Sequence, residues 1–290
     1  MKLPLPVFLV SIHALLLSLA PPIDAQESTK KKLPAPPPGT TVIRDIHFAT
    51  HNGVELKLDL YRPEEMPEHA LPVILWIHGG GWLKGSKDRC RADFLAQHGF
   101  AVVSVGYRLT DLASWPAQID DCYAAVRWVR NNEASYQLNP DAIGTWGGSA
   151  GGHLAALMGT RPGAEEKEIR VQAVCDWYGP TNLLTMPANV VSEKRTYEQV
   201  SQSNGAKLLG APIPDVPEIA KDASALHQVS PDDPPFLIMH GSEDPGVPLE
   251  QSTLFHEKLE EAGVESTLVI LEGAGHGGKE FAEDKIKNQV

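Results

Sequence analysis

The chain has little cysteine, no excess of positive charge and almost no uninterrupted apolar sequence. Each shortage removes a class of protein. Three cysteines in 290 residues, Cys90, Cys122 and Cys175, are too few and too scattered for a disulfide framework or a metal knuckle. Cys175 lies in an apolar run and reads as a small buried hydrophobe. Cys90 and Cys122 read as free thiols, with a pair between them as the alternative in an oxidising compartment. Against 25 Lys and Arg stand 37 Asp and Glu, a formal net charge of −12, which argues against nucleic acid or an anionic membrane surface as partner. The one long apolar run, residues 7–20, is short for a membrane span. It follows Lys2, is broken by Pro21 and Pro22, and is followed by a small residue, Ala25, suited to cleavage. This predicts a signal peptide over residues 1–25 and a secreted or periplasmic protein with no stable membrane span after signal removal; an uncleaved anchor is the alternative.

What remains is ordinary globular sequence, long enough to bury a full core. Residues 26–40 are lysine-rich and then proline-rich, as a linker would be, so the folded domain is placed at 41–290. Stretches 41–48 and 54–61 carry β-branched and alternating residues around Asn52-Gly53, a hairpin signal. Runs at 71–77, 99–105, 143–147, 171–177, 236–240 and 266–271 read as strands, most of them continuously apolar and so covered on both faces. Helical spacing falls between them at 88–98, 116–131, after Ser149, and at 249–262. Buried strands alternating with helices predict an α/β protein. Its sheet would be mostly parallel with antiparallel N-terminal edge strands and helices on both faces. Between 180 and 235 prolines and short helical pieces interrupt this rhythm and suggest a lid, with a surface excursion as the alternative. After His276 only the short stretch from Lys279 to Val290 follows, room for a short or truncated C-terminal helix.

The glycine-rich stretches sit just after predicted strands, where sites in such sheets lie. Gly147-Gly148-Ser149-Ala150-Gly151 is the strand–turn–helix pattern of a nucleophile elbow. A serine hydroxyl is a weak nucleophile and needs a base. His276, in a glycine-rich loop after the last strand, is the candidate. An imidazole in turn needs a carboxylate to orient it, and Asp244 is preferred over its neighbour Glu243. The order Ser149, Asp244, His276 follows. An oxyanion needs preorganised donors; the N–H groups of Gly80, Gly81 and Ala150 are the candidates. The loop His78–Trp82 lacks a Gly-Lys-Ser/Thr ending, which discounts phosphate binding. His78 reads as an organiser of its own loop and His153 as a packed histidine. Trp82, Trp115, Trp177 and Tyr178 are each as suited to a pocket wall as to the core.

These motifs, with Gly85-Ser86-Lys87, Tyr107-Arg108-Leu109, Tyr178-Gly179-Pro180 and Asp244-Pro245-Gly246-Val247-Pro248, resemble an α/β-hydrolase of the bacterial esterase/lipase type with a His-Gly-Gly-Gly-Trp loop. The nearest group includes acetylxylan and feruloyl esterases. The resemblance implies cofactor-free, metal-free acyl transfer through an acyl-serine. It also implies a small-molecule or polysaccharide-linked ester as partner, with short acyl or feruloyl groups. A serine peptidase or an arylformamidase-like amidase on the same fold, or a non-catalytic binding protein, are the alternatives.

Overall fold

The computed structural model describes Met1, residues 33–287 and Gln289. The expected signal peptide therefore falls almost wholly outside the described residues. The unit from Pro34 onward carries everything below. Its strands are β1 (Thr40–His51), β2 (Val54–Pro63), β3 (Leu71–Ile77), β4 (Ala101–Val105), β5 (Leu138–Gly148), β6 (Ala173–Trp177), β7 (Phe236–Gly241) and β8 (Ser266–Leu271). Its helices are α1 (Ala117–Asn131), α2 (Glu133–Tyr136), α3 (Ala150–Thr160), α4 (Tyr197–Ser201), α5 (Asn204–Leu209), α6 (Pro217–Asp222), α7 (Glu250–Glu261) and α8 (Asp284–Lys287). The strands form one sheet in the order β1-β2-β4-β3-β5-β6-β7-β8. Pairs β1–β2 and β2–β4 are antiparallel and the rest are parallel. The α/β fold class expected from the alternation of buried strands and helices is the one observed. No helix among the described residues is long and apolar enough to cross a membrane.

Alternation along β3 shows why its sequence is apolar throughout. Leu71, Val73, Leu75 and Ile77 enter the core on one face, while Ile74 and Trp76 enter the core on the other. The first face is covered by α1, α3 and α7, through residues such as Ile119, Leu154 and Phe255. The second has thinner cover: Leu95 and Ala96 from a 3-10 turn at Asp93–His98, and Phe281 and Ile286 near the C-terminus.

That turn corrects the helix expected over 88–98. Two carbonyls that would start the helix are engaged elsewhere: Ser104 Oγ donates to Lys87 O at 2.8 Å and Trp76 Nε1 to Arg89 O at 3.2 Å. The turn expected at Asn139-Pro140-Asp141 is present as a local irregularity, with Asn139 Oδ1 accepting from the Asp141 N–H (3.0 Å). β5 runs through it, and a shift of register against β3 between Leu71 and Val73 accommodates the proline. Residues 34–39 are irregular and are tied to the domain by Arg44 Nη2 to Pro34 O (2.6 Å) and Gln97 Nε2 to Pro38 O (3.0 Å). All three cysteines are free, so Cys90 and Cys122 do not pair.

Candidate active site

The tightness of the turn after β5 dictates its glycines. A Cβ on Gly147 would lie 2.1 Å from Gly151 O, and one on Gly151 would lie 2.0 Å from Ile77 O. Backbone occupies both places, so no side chain can adjust to fit. Between them Ser149 is held at φ 57°, ψ −121°, a left-handed conformation that a non-glycine residue occupies at a cost of about 1–3 kcal/mol. Its N–H is anchored to Trp177 O (2.8 Å) at the end of β6, and α3 begins at the next residue.

Ser149 Oγ lies 2.8 Å from His276 Nε2, and His276 Nδ1 lies 2.6 Å from Asp244 Oδ2. The structure thus brings together three residues from the ends of β5, β7 and β8. Asp244, and not Glu243, meets the imidazole. With Nδ1–H donating to the carboxylate, Nε2 is free to accept the serine proton. The second oxygen of Asp244 accepts from the N–H groups of Gly246 (2.7 Å) and Val247 (2.9 Å). Desolvation alone would raise its pKa, but hydrogen bonds from His240, His276 and these two amides hold the carboxyl well below the usual range. His240 also donates from Nε2 to Val247 O (2.9 Å) and accepts at Nδ1 from Ser252 (2.7 Å), which braces the loop.

The glycine loop after β3 lies against the elbow. A Cβ on Gly79 would sit 2.6 Å from Gly148 O and 3.4 Å from the Ser149 Cβ. Gly80, Gly81 and Trp82 all have positive φ, at 122°, 63° and 62°. The N–H groups of Gly80, Gly81 and Ala150 have no acceptor among the described residues. The loop itself is pinned. His78 donates from Nδ1 to Gly79 O (2.9 Å) and stacks on Tyr107 with ring centroids 4.3 Å apart, while Tyr107 Oη donates to His78 O (2.9 Å). Trp82 Nε1 donates to His153 Nδ1 (3.3 Å), and His153 Nε2 donates to Ala223 O (2.7 Å). Burial lowers the His153 pKa to about 4, so it remains the neutral tautomer these bonds require.

Ser149 and His276 open onto a cavity of about 850 Å³. The insertion between β6 and β7 forms one wall, including Leu183, Met186, Asn189 and Asn204. Trp82 and Tyr178 line the cavity; Trp115 and Trp177 do not, and Trp76 does. Trp177 packs in the core against Trp146 at 4.6 Å. Tyr178 meets His276 edge-on at 4.8 Å. Sequence reasoning passes over Asn204, whose Nδ2 would be 2.4 Å from a Cβ on Gly81, and over His240 behind Asp244. No local signal marks Asn204. His240 is marked only by directly preceding the Asp244 loop. Among the described residues no cluster of side chains is suited to hold a metal ion.

The BD-FAE family model matches residues 58–259, well over half the chain. Esterase LipQ of Mycobacterium tuberculosis is 33% identical, over 73% of this chain and 51% of that protein. The match to Esterase LipC of the same organism covers 56% of that protein, so the chain spans about half the length of the curated relatives it matches. Among solved structures, a truncated carbohydrate esterase from gut microbiota superposes with a TM-score of 0.78 at 29% identity, covering 89% of this chain and 96% of that one. An acetyl ester-xyloside bifunctional hydrolase from Caldicellulosiruptor lactoaceticus gives 0.65 at 27% identity, covering 82% and 85%. With a mostly parallel sheet that carries a serine elbow, and with these relatives, the chain belongs to the BD-FAE family, has the α/β-hydrolase fold and is similar to esterases.

Proposed function

We propose that the protein is a serine carboxylic-ester hydrolase, exported to the periplasm or medium, that removes short acyl or feruloyl groups from polysaccharides or similar small esters. The observation that carries the reading is the unbroken chain of hydrogen bonds from Ser149 through His276 to Asp244, at 2.8 and 2.6 Å, at the floor of a cavity. In this reading Ser149 Oγ attacks the ester carbonyl while its proton passes to His276 Nε2. Asp244 keeps Nδ1 as the donor and stabilises the imidazolium. The oxyanion accepts from the N–H groups of Gly80, Gly81 and Ala150, each such donor contributing about 3–4 kcal/mol in comparable sites. His276 then protonates the departing alkoxide and leaves an acyl-serine. Water repeats the sequence, giving its proton to His276, and collapse releases the acid and restores Ser149.

Likeness to a carbohydrate esterase and to an acetyl ester-xyloside hydrolase supports a sugar-linked ester, and polar lid residues such as Asn189 and Ser203 suit a hydroxylated ligand. Export rests on the apolar run at 7–20. The test is turnover of p-nitrophenyl acetate, acetylated xylan and methyl ferulate, with Ser149 labelled by a fluorophosphonate probe. Ser149→Ala is expected to lower kcat by at least about 10⁴-fold with the fold intact. Retained turnover, or an unlabelled Ser149, would remove the reading.

A further inference from the structure

Acidic residues outnumber basic ones by 37 to 25 in this chain, yet no aspartate or glutamate is among the described residues that line the cavity. Four cations do line it: Lys84, Arg89 and Arg91 from the segment after β3, and Arg195 from the insertion. Among the described residues none of the four makes an ion pair. Some cations elsewhere pair, as Lys87 does with Asp59 and Arg108 with Asp121, and others, such as Arg62, Arg127 and Lys207, make no ion pair among the described residues; what sets these four apart is that they share one opening with no carboxylate in its lining. Unpaired positive charge is thus gathered at one opening of a negatively charged molecule.

The position of the cations fits ligand contact. Arg91 Nη1 is 3.4 Å from Tyr178 Oη, and the Tyr178 ring meets His276. Lys84 donates its backbone N–H to Gly80 O (3.2 Å), so it sits at the end of the glycine loop. Lys84, Arg89 and Arg91 are exposed and Arg195 is half-buried, so their charged groups stand at the mouth. The inner wall is different: Trp82, Leu183, Met186 and Val247 are apolar and buried. A small acyl group suits that wall, and the alcohol half of the ester then extends outward among the cations.

We propose that this rim selects esters whose alcohol part carries a carboxylate, the chemistry of an acylated uronic-acid residue. The proposal rests on the esterase reading above and narrows its substrate class. Guanidinium forks match carboxylates bidentately, and a cleft lined by one sign of charge concentrates ligands of the other.

The test compares acetate release from an O-acetylated methyl glucuronide and from the matching glucoside, which differ only in carboxylate against hydroxymethyl. The expected result is a higher kcat/KM for the glucuronide. One unit charge about 4 Å away in water contributes about 1 kcal/mol, or about fivefold. Arg91→Gln and Arg195→Gln should therefore each lower the glucuronide-to-glucoside ratio about fivefold. Salt of about 0.5 M should bring the wild-type ratio toward one. A parallel arm pairs 4-nitrophenyl hydrogen succinate with 4-nitrophenyl valerate, which places the carboxylate on the acyl side. A preference there but not for the glucuronide would overturn the proposal. So would equal rates on both sugars by an enzyme that turns over p-nitrophenyl acetate, with the esterase reading left standing. Inactivity on p-nitrophenyl acetate would remove both readings.

Discussion

Asp176, the residue before the last of β6, lies beside the first turn of α3 and is fully buried. Its Oδ1 accepts from Gly179 N–H at 2.9 Å, while Oδ2 has no hydrogen-bond partner. The carboxyl presses on the first turn of α3, since a Cβ on Gly152 would lie 2.3 Å from Oδ1. Burial, offset only in part by the Gly179 N–H and by nearby His240, pushes its pKa up to about 6. In the unfolded chain the value is about 3.9. The folded state therefore binds this proton more tightly than the unfolded state does. Stability from this group is present in acid and is lost as pH rises from about 4 through about 6. Between about pH 4.5 and 7.5 the loss integrates to about 2 kcal/mol. Asp176→Asn keeps an acceptor for Gly179 and cannot ionise. Its unfolding free energy relative to wild type should thus shift by about 2 kcal/mol in its favour across that interval. Urea unfolding followed by tryptophan fluorescence at the two pH values measures this, with Trp146 and Trp177 as nearby reporters. If the offset between the two proteins is the same at both pH values, the argument from burial is wrong.

Asp244→Asn offers an amide where His276 Nδ1–H needs an acceptor, so kcat should fall about 10⁴-fold while KM changes little. Because the Asp244 pKa is depressed in the fold, its contribution to stability is present above about pH 4 and is lost as pH falls further; acid titration of wild type should show this loss and the variant should lack it. Arg108 binds Asp121 through Nε (2.9 Å) and Nη2 (2.7 Å), and Asp121 is fully buried. Arg108→Ala leaves that carboxylate only His51 Nδ1 (2.9 Å) and the backbone N–H of residue 108 (2.8 Å) as partners and should cost about 3 kcal/mol by calorimetry, with Arg108→Lys recovering only part because an ammonium cannot form the fork.

What could be read from the sequence divides by the range of the forces involved. Gly147 and Gly151 announce the elbow because the backbone atoms at 2.0 and 2.1 Å leave no alternative residue, so a local clash is written as a local composition. The order of strands and helices is legible for the same reason: a run such as 71–77 needs apolar residues at every position when both faces are covered. Yet that same uniformity hides which tryptophan reaches the cavity. Trp76 and Trp177 both lie at the carboxyl ends of apolar runs and in the same core cluster, and only the fold shows that Trp76 alone also reaches the cavity wall. The segment 88–98 fails differently. Its spacing suits a helix, but Ser104 and Trp76, distant in sequence, claim the carbonyls of Lys87 and Arg89. The cation rim is the extreme case. Lys84, Arg89 and Arg91 are unremarkable among 25 basic residues, and Arg195 belongs to a proline-rich insertion with no motif. Only the fold, which sets the insertion beside the segment after β3, brings all four around one opening that has no carboxylate in its lining. Chemistry at the bond being broken is therefore encoded in short motifs, whereas selection of the molecule that carries the bond depends on long-range placement.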